Sequence, residues 1–375
     1  MQTVRTCMTV IASNAAPWGA SRKAVLGSPL TLQRRFGWMK TKWMSLALLV
    51  SFCSVFAADQ KAIVIVGGGS TVPLPLYKKW KDEYNKLNRP AQMDYVPFGT
   101  AEGITQITNG KSDFGAGEVL LTSEERSKGN LTEVPAAIIA IVPVYNLPGV
   151  HQDLRFSGEL LAEIYLGEVK TWNDPRITKL NPGASMPSIP IQVIYRPGGK
   201  GTNYVFTDFL SKTSPKFREK IGRTPSPHWQ VGVSAERSSD MGEKVKKTPG
   251  SIGYIEAQYL DDYNLHAGLV LNSAGRYVKA SSQTMLAACQ AVEGADWAKF
   301  DVSLTNASGP DSFPITSFTW LYVHKLTDSA RAAALADLLS WMFSSNGQRF
   351  ALSEGYPQMP DPLLTKIKAK VSSLR

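Results

Sequence analysis

Apolar and polar positions along this chain switch repeatedly between a period of two and a period near 3.6. Residues 61–66 (KAIVIV) are a short β-branched apolar run and predict a strand. Three glycines follow, and then Leu74, Tyr77, Trp80, Tyr84 and Leu87 recur at helical spacing, which predicts a helix over 74–87. The alternation returns with a strand over 93–97, the turn GTAEG at 99–103, a helix near 104–109 and a strand-to-loop passage over 112–117. Residues 189–195 (IPIQVIY) predict another strand, 196–202 (RPGGKGT) a turn and 203–211 (NYVFTDFLS) a helix. Later strands are predicted over 251–256 and 317–323, and an amphipathic helix over 330–344. Strand, glycine-rich turn and helix in succession imply α/β organisation with a largely parallel sheet. With no fixed-period repeat and no long linker, two lobes with more than one chain crossing fit better than two separate domains.

Three of these turns share a physical property: each sets small residues at the start of a helix. The first N–H groups of a helix have no internal partner, and the aligned peptide dipoles place partial positive charge there. Glycine lets a ligand approach the backbone closely. Ser70 and Thr71, Thr100, and Gly201 with Thr202 are therefore candidate contacts for one oxyanion. Arg196, between an apolar strand and the glycines, can donate two parallel hydrogen bonds to the same anion. The competing reading is local: Ser or Thr before a helix is an ordinary cap, Pro73 an ordinary first-turn proline, and Arg196 a surface ion pair.

The formal net charge of +10 suggests a nucleic-acid partner until the charges are located. Residues 1–58 carry seven basic residues and no acidic one, which leaves 34 basic against 31 acidic in the remainder. Residues 39–58 (MKTKWMSLALLVSFCSVFAA) have a basic start, an apolar centre and small residues at the end, the pattern of a secretory signal peptide. Cleavage is expected after Ala57 or Ala58, with the 38 residues before Met39 untranslated. The rest of the chain holds one cysteine, Cys289, so no internal disulfide is expected.

Catalytic patterns are missing. Gly198-Gly199-Lys200-Gly201-Thr202 has the ingredients of a nucleotide-binding loop in the wrong order. The four histidines are scattered, no cysteine pair offers a zinc site and no G-x-S-x-G occurs. A binding protein without cofactor or metal, rather than an enzyme, is the expectation.

The segments GGGSTVPLPLYKKW, GTAEGITQITNGKSDFGAGE, IYLGEVKTWNDPRITKLNPG, RPGGKGTNYVFTDFL, PGSIGYIEAQY and FPITSFTW carry a resemblance across nearly all of residues 61–360. The chain resembles the phosphate-binding proteins of bacterial phosphate ABC transporters, the PstS family. The resemblance implies a type II periplasmic binding protein: two α/β lobes joined by two crossing strands, with a ligand cleft between them. Lobe I would take 59–142 and 315–375, and lobe II 143–314. The implied role is high-affinity binding of inorganic phosphate in the periplasm and delivery to a membrane-embedded ABC permease, by a monomer with no nucleic-acid partner. Matched position by position, Thr71, the Val72 N–H, Thr100, Glu118, Arg196, Lys200, Gly201 and Thr202 would line the site, beside Ser70.

Three positions depart from the family pattern. Glu118 stands where the family has aspartate, the carboxylate that accepts a hydrogen bond from protonated phosphate and repels sulfate. Lys200 replaces a serine and Gly198 an aspartate. Glu118 and Lys200 are therefore expected to pair across the closed cleft. Sulfate, arsenate or an organic phosphate is the alternative ligand, a sensor the alternative partner, and a hydrolase using Ser70 or Thr71 the alternative activity.

Overall fold

A computed structural model describes residues 62–292, 300, 302–325, 327 and 329–374. The expected leader, residues 1–58, lies outside the described residues, as does Lys61 at the start of the first predicted strand. The chain runs β1 (Ile63–Gly69), α1 (Leu74–Asn85), β2 (Ala91–Val96), α2 (Thr100–Thr108), β3 (Phe114–Gly117), α3 (Ser123–Gly129) and β4 (Thr132–Asn146). It continues through β5 (Arg155–Phe156), α4 (Gly158–Tyr165), α5 (Pro175–Leu180), β6 (Gln192–Tyr195), α6 (Gly201–Thr213) and α7 (Pro215–Lys220). Next come β7 (Val233–Ser234), α8 (Ser238–Lys247), β8 (Ser251–Glu256), α9 (Leu260–Tyr263), β9 (His266–Ala267), β10 (Leu269–Leu271), β11 (Tyr277–Val278) and α10 (Ser282–Gln290). The last described elements are β12 (Thr316–Val323), α11 (Ser329–Met342), α12 (Ser345–Ser353) and α13 (Asp361–Ser372).

The main sheet runs β2-β1-β3-β12-β4-β8-β6-β7, with β9 also paired to β4. The largely parallel sheet predicted from the sequence is found on each flank but not at the centre. β1 is parallel to β2 and β3, and β6 is parallel to β7 and β8. The central β12 runs antiparallel to β3 and β4, and β4 runs antiparallel to β8. Successive strand–helix units make the flanks parallel, whereas β4 and β12 carry the chain across the middle.

β4 is the spine. Its sequence TEVPAAIIAIVPVYN is buried at every position but its two ends, as a strand covered on both faces must be. Residues 132–140 pair with β12, and residues 141–146 with β8. The chain crosses a second time where Ile315 accepts from the Ile141 N–H at 2.9 Å, just before β12 begins. Pro135 cannot donate to a ladder, and the β12 register shifts at the residues facing it, between Thr319 and Trp320.

Glycines bring the first flank together backbone to backbone. Gly69 ends β1 at φ 144°, and a β-carbon there would lie 2.1 Å from the Ala116 carbonyl oxygen. Gly103 of α2 rests on the same place, its β-carbon position 2.7 Å from Gly69 Cα. On the other flank, Trp172 donates to the Gly250 carbonyl at 2.8 Å, Asp174 caps α5 by accepting from Arg176 N at 2.9 Å, and Asn181 accepts from Arg155 N at 2.7 Å. The long segment WNDPRITKLNPG is thus scaffolding, and these three side chains act through packing and turn geometry.

Gly103→Ala should push α2 off the end of β1. We expect a loss of about 1–3 kcal/mol in unfolding free energy, the range typical of overpacking, measured by urea denaturation. An unchanged denaturation midpoint would show that the close α2–β1 approach is not required.

Candidate functional site

The turns singled out in the sequence meet in one place. β1, β2 and β3 are in parallel register, so the loops that follow them all leave from the same edge. Gly99 N donates to Gly69 O at 2.7 Å, tying the start of α2 to the end of β1. Ala101 N then donates to Gly199 O at 3.1 Å, which joins α2 to the turn before α6. The cap positions of α1, α2 and α6 are Pro73, Gly99 and Lys200, and none receives a side-chain cap bond. Simple capping therefore does not account for Thr100 or Thr202. Ser70 is different, because its Oγ accepts from Val72 N at 3.1 Å. The Val72 N–H, expected to face a ligand, is engaged locally instead.

Glu118 follows β3 and is fully buried. Ser70 Oγ donates to its Oε2 at 2.8 Å, Thr100 Oγ1 to the same oxygen at 3.1 Å, and Thr319 Oγ1 to Oε1 at 3.1 Å. Gly201 closes against it, and a β-carbon there would fall 1.7 Å from Oε2. Burial raises the Glu118 carboxyl to about 7, and the nearby Glu256 charge adds to the rise, while the three hydroxyl bonds oppose it. The expected pairing of Glu118 with Lys200 is not what the structure shows. Lys200 Nζ pairs with Glu236 Oε1 instead, because the lysine stem reaches the loop before α8.

Arg196 follows β6 and is buried. Its Nη1 donates to Ser238 Oγ at 3.2 Å, and its Nη2 to the Glu236 carbonyl at 3.1 Å and to Thr71 Oγ1 at 3.4 Å. Thr71 Oγ1 and Ser238 Oγ lie 3.2 Å apart. Ser238 in turn donates to Glu256 Oε1 at 3.0 Å, and Arg196 Nη1 stands 3.9 Å from that oxygen. Burial pushes the Glu256 carboxyl up, with the arginine charge opposing. Arg196 Nε, Thr202 Oγ1 and Glu256 Oε2 are buried without a hydrogen-bond partner among the described residues. Buried polar atoms rarely remain so without a reason.

Two further side chains fix the arginine turn. Asn203 Nδ2 donates to the carbonyls of Arg196, Pro197 and Pro225 at 3.1, 2.7 and 3.1 Å. Tyr254 Oη accepts from Arg196 N at 3.0 Å and donates to Asn203 Oδ1. Sequence reasoning did not select Asn203, Glu236, Ser238, Tyr254, Glu256 or Thr319. Glu256 left a signal, as a carboxylate closing the apolar strand SIGYIE. Ser238 and Thr319 left none, since their positions depend on where α8 and β12 pack.

Chemically, the arrangement offers a guanidinium, several hydroxyls and helix first-turn N–H groups around two buried carboxylates, Glu118 and Glu256. Such a set suits a tetrahedral oxyanion that accepts many hydrogen bonds and still has one proton to donate.

A family model described as the PBP superfamily domain matches residues 56–346. The phosphate-binding protein PstS of Xylella fastidiosa (strain Temecula1) is 34% identical over 318 residues, covering 84% of this chain and 86% of that protein. PstS of Pasteurella multocida is 34% identical over 325 residues, covering 86% of this chain and 94% of its own length. Among solved structures, an ABC-type phosphate transport receptor from Vibrio cholerae shares the fold, with a TM-score of 0.55 at 16% identity over 79% of this chain and 100% of that one.

The raised Glu118 carboxyl has a consequence for stability. The folded state binds this proton more tightly than the unfolded state, whose carboxyl titrates near 4.5. Glu118 should therefore erode stability as pH rises from 4.5 to about 7, by on the order of 3 kcal/mol. Urea unfolding of phosphate-free protein across that window should show Glu118→Gln losing less stability with pH than the parent. Parallel curves for the two proteins would mean that Glu118 does not titrate there.

Proposed function

The chain belongs to the PstS family of phosphate-binding proteins, and from that premise we propose how its own residues take inorganic phosphate for ABC-transporter import. The fold is that of a type II periplasmic binding protein. In our reading lobe I comprises 59–142 with 315–375 and lobe II comprises 143–314, and the anion sits where the α1 and α2 starts face the α6 and α8 starts. Arg196, with the Thr71 and Thr202 hydroxyls, supplies donors to the phosphate oxygens, while the Thr100 and Ser238 hydroxyls hold Glu118 and Glu256. Glu118, held by Ser70, Thr100 and Thr319, accepts a hydrogen bond from the O–H that phosphate retains and sulfate lacks.

One observation carries this reading: two buried donors of the same site, Arg196 Nε and Thr202 Oγ1, have no partner among the described residues. An oxyanion between the lobes gives both a partner at once. Cross-lobe contacts already bracket that position, including Arg196 to Thr71 and Tyr259 Oη to the Thr71 carbonyl at 3.1 Å. Closure over the anion completes its dehydration and presents a surface to a membrane permease. The protein acts as a monomer exported to the periplasm by its signal peptide. Hydrolysis is not part of this reading, although Ser70 donates to Glu118; a phosphomonoesterase assay should show no turnover.

Calorimetric titration of phosphate into protein freed of bound anion by unfolding and refolding tests the proposal. Thr202→Val is the informative variant. Removing a buried hydroxyl that has no partner should leave the phosphate-free protein equally or more stable, yet weaken phosphate by about tenfold. Loss of stability without loss of affinity would place Thr202 in the scaffold, and absence of binding by the parent protein would overturn the function.

A further inference from the structure

Glu236 stands between the two cations of the site. Its backbone carbonyl accepts from Arg196 Nη2 at 3.1 Å, and its carboxylate pairs with Lys200 Nζ. The pair is lopsided: the Lys200 side chain is 14% exposed and that of Glu236 66% exposed. A mostly buried ammonium at the cap position of α6, where the helix dipole is already positive, needs an anionic partner.

The position of Lys200 makes the choice of partner consequential. Lys200 Nζ lies 3.5 Å from where a β-carbon on Gly99 would sit. Gly99 precedes Thr100, which donates to Glu118, and Gly201, next to Lys200, presses on Glu118 Oε2. The ammonium is therefore beside both helix starts that flank Glu118. Its four-carbon stem is flexible, so rotation of that stem offers it a different carboxylate.

We propose that Glu236 is a specificity-determining residue: by holding Lys200, it keeps the ammonium away from Glu118 and from the bound anion. The proposal rests on the phosphate reading above and deepens it. Glu118 discriminates only while it is an uncompensated acceptor. Against phosphate it receives a proton-mediated hydrogen bond, whereas against a fully ionised oxyanion it meets like charge. An ammonium placed between carboxylate and anion would donate to both and remove that repulsion. The lysine that replaces the family serine would then abolish selectivity, and Glu236 prevents this.

The test is the ratio of sulfate to phosphate dissociation constants, measured by calorimetry on the parent protein, Glu236→Gln, Lys200→Ser and the double variant. Glu236→Gln should lower the ratio by about tenfold or more, as a freed ammonium offsets the repulsion between Glu118 and an anion that has no proton to share with it. Adding Lys200→Ser should restore it. If Glu236 only braces the Arg196 turn, both anions weaken by the same factor and the ratio stays fixed, which overturns the inference. A lowered ratio that Lys200→Ser does not restore overturns it as well. A parent protein that binds no phosphate overturns the phosphate reading itself, whereas one that binds phosphate with an unchanged variant ratio overturns this inference alone.

Discussion

A carboxylate buried among hydroxyls, with no cation paired to it among the described residues, constrains the rest of this protein. Glu118 is tolerable there only if its oxygens are satisfied, and the three donors come from three elements: Ser70 after β1, Thr100 at the head of α2 and Thr319 on β12. Bringing them together requires backbones closer than side chains permit. Gly69 and Gly103 meet that need, and so does Gly117, whose β-carbon would lie 2.3 Å from Thr100 Cγ2. The stretch GGGST at 67–71 is therefore more than a turn. It allows a strand end, a helix start and a carboxylate to share one small space.

Across from the carboxylate stands a guanidinium that is also removed from water. Arg196 is held from behind through its backbone by Tyr254 and Asn203, and from the front by Thr71 and Ser238. Its anionic neighbour Glu256 is 3.9 Å away, too far for a hydrogen bond. The arginine is thus positioned, with Glu256 at ion-pair distance and its own Nε without a hydrogen-bond partner among the described residues. In the proposed reading, hydrogen-bond donors remain for an anion, and Glu118 requires that the anion carry a proton. On that reading, affinity and selectivity reside on opposite walls of one site.

Much of this was legible in the sequence. Strand, glycine turn and helix gave the α/β class, and the turns at 70–71, 100 and 201–202 do converge. The crossing strand β4 was not read, because Pro135 and Pro143 interrupt TEVPAAIIAIVPVYN and prolines argue against a central strand. The structure accommodates Pro135 opposite a register shift in β12. The partner of Lys200 was also misjudged. Matched positions put lysine and Glu118 in one cleft, but which way a flexible stem turns depends on Glu236, a loop carboxylate brought near only by packing. Thr319 and Ser238 illustrate the same limit, since their roles follow from tertiary placement and not from local pattern.

The most direct measurement is a crystal structure of the protein grown with phosphate. A phosphate oxygen should lie within hydrogen-bond distance of Arg196 Nε and another at Thr202 Oγ1, with Glu118 accepting from the phosphate itself and Lys200 still on Glu236. Phosphate bound elsewhere, or bound here while Arg196 Nε and Thr202 Oγ1 keep no partner, would contradict it.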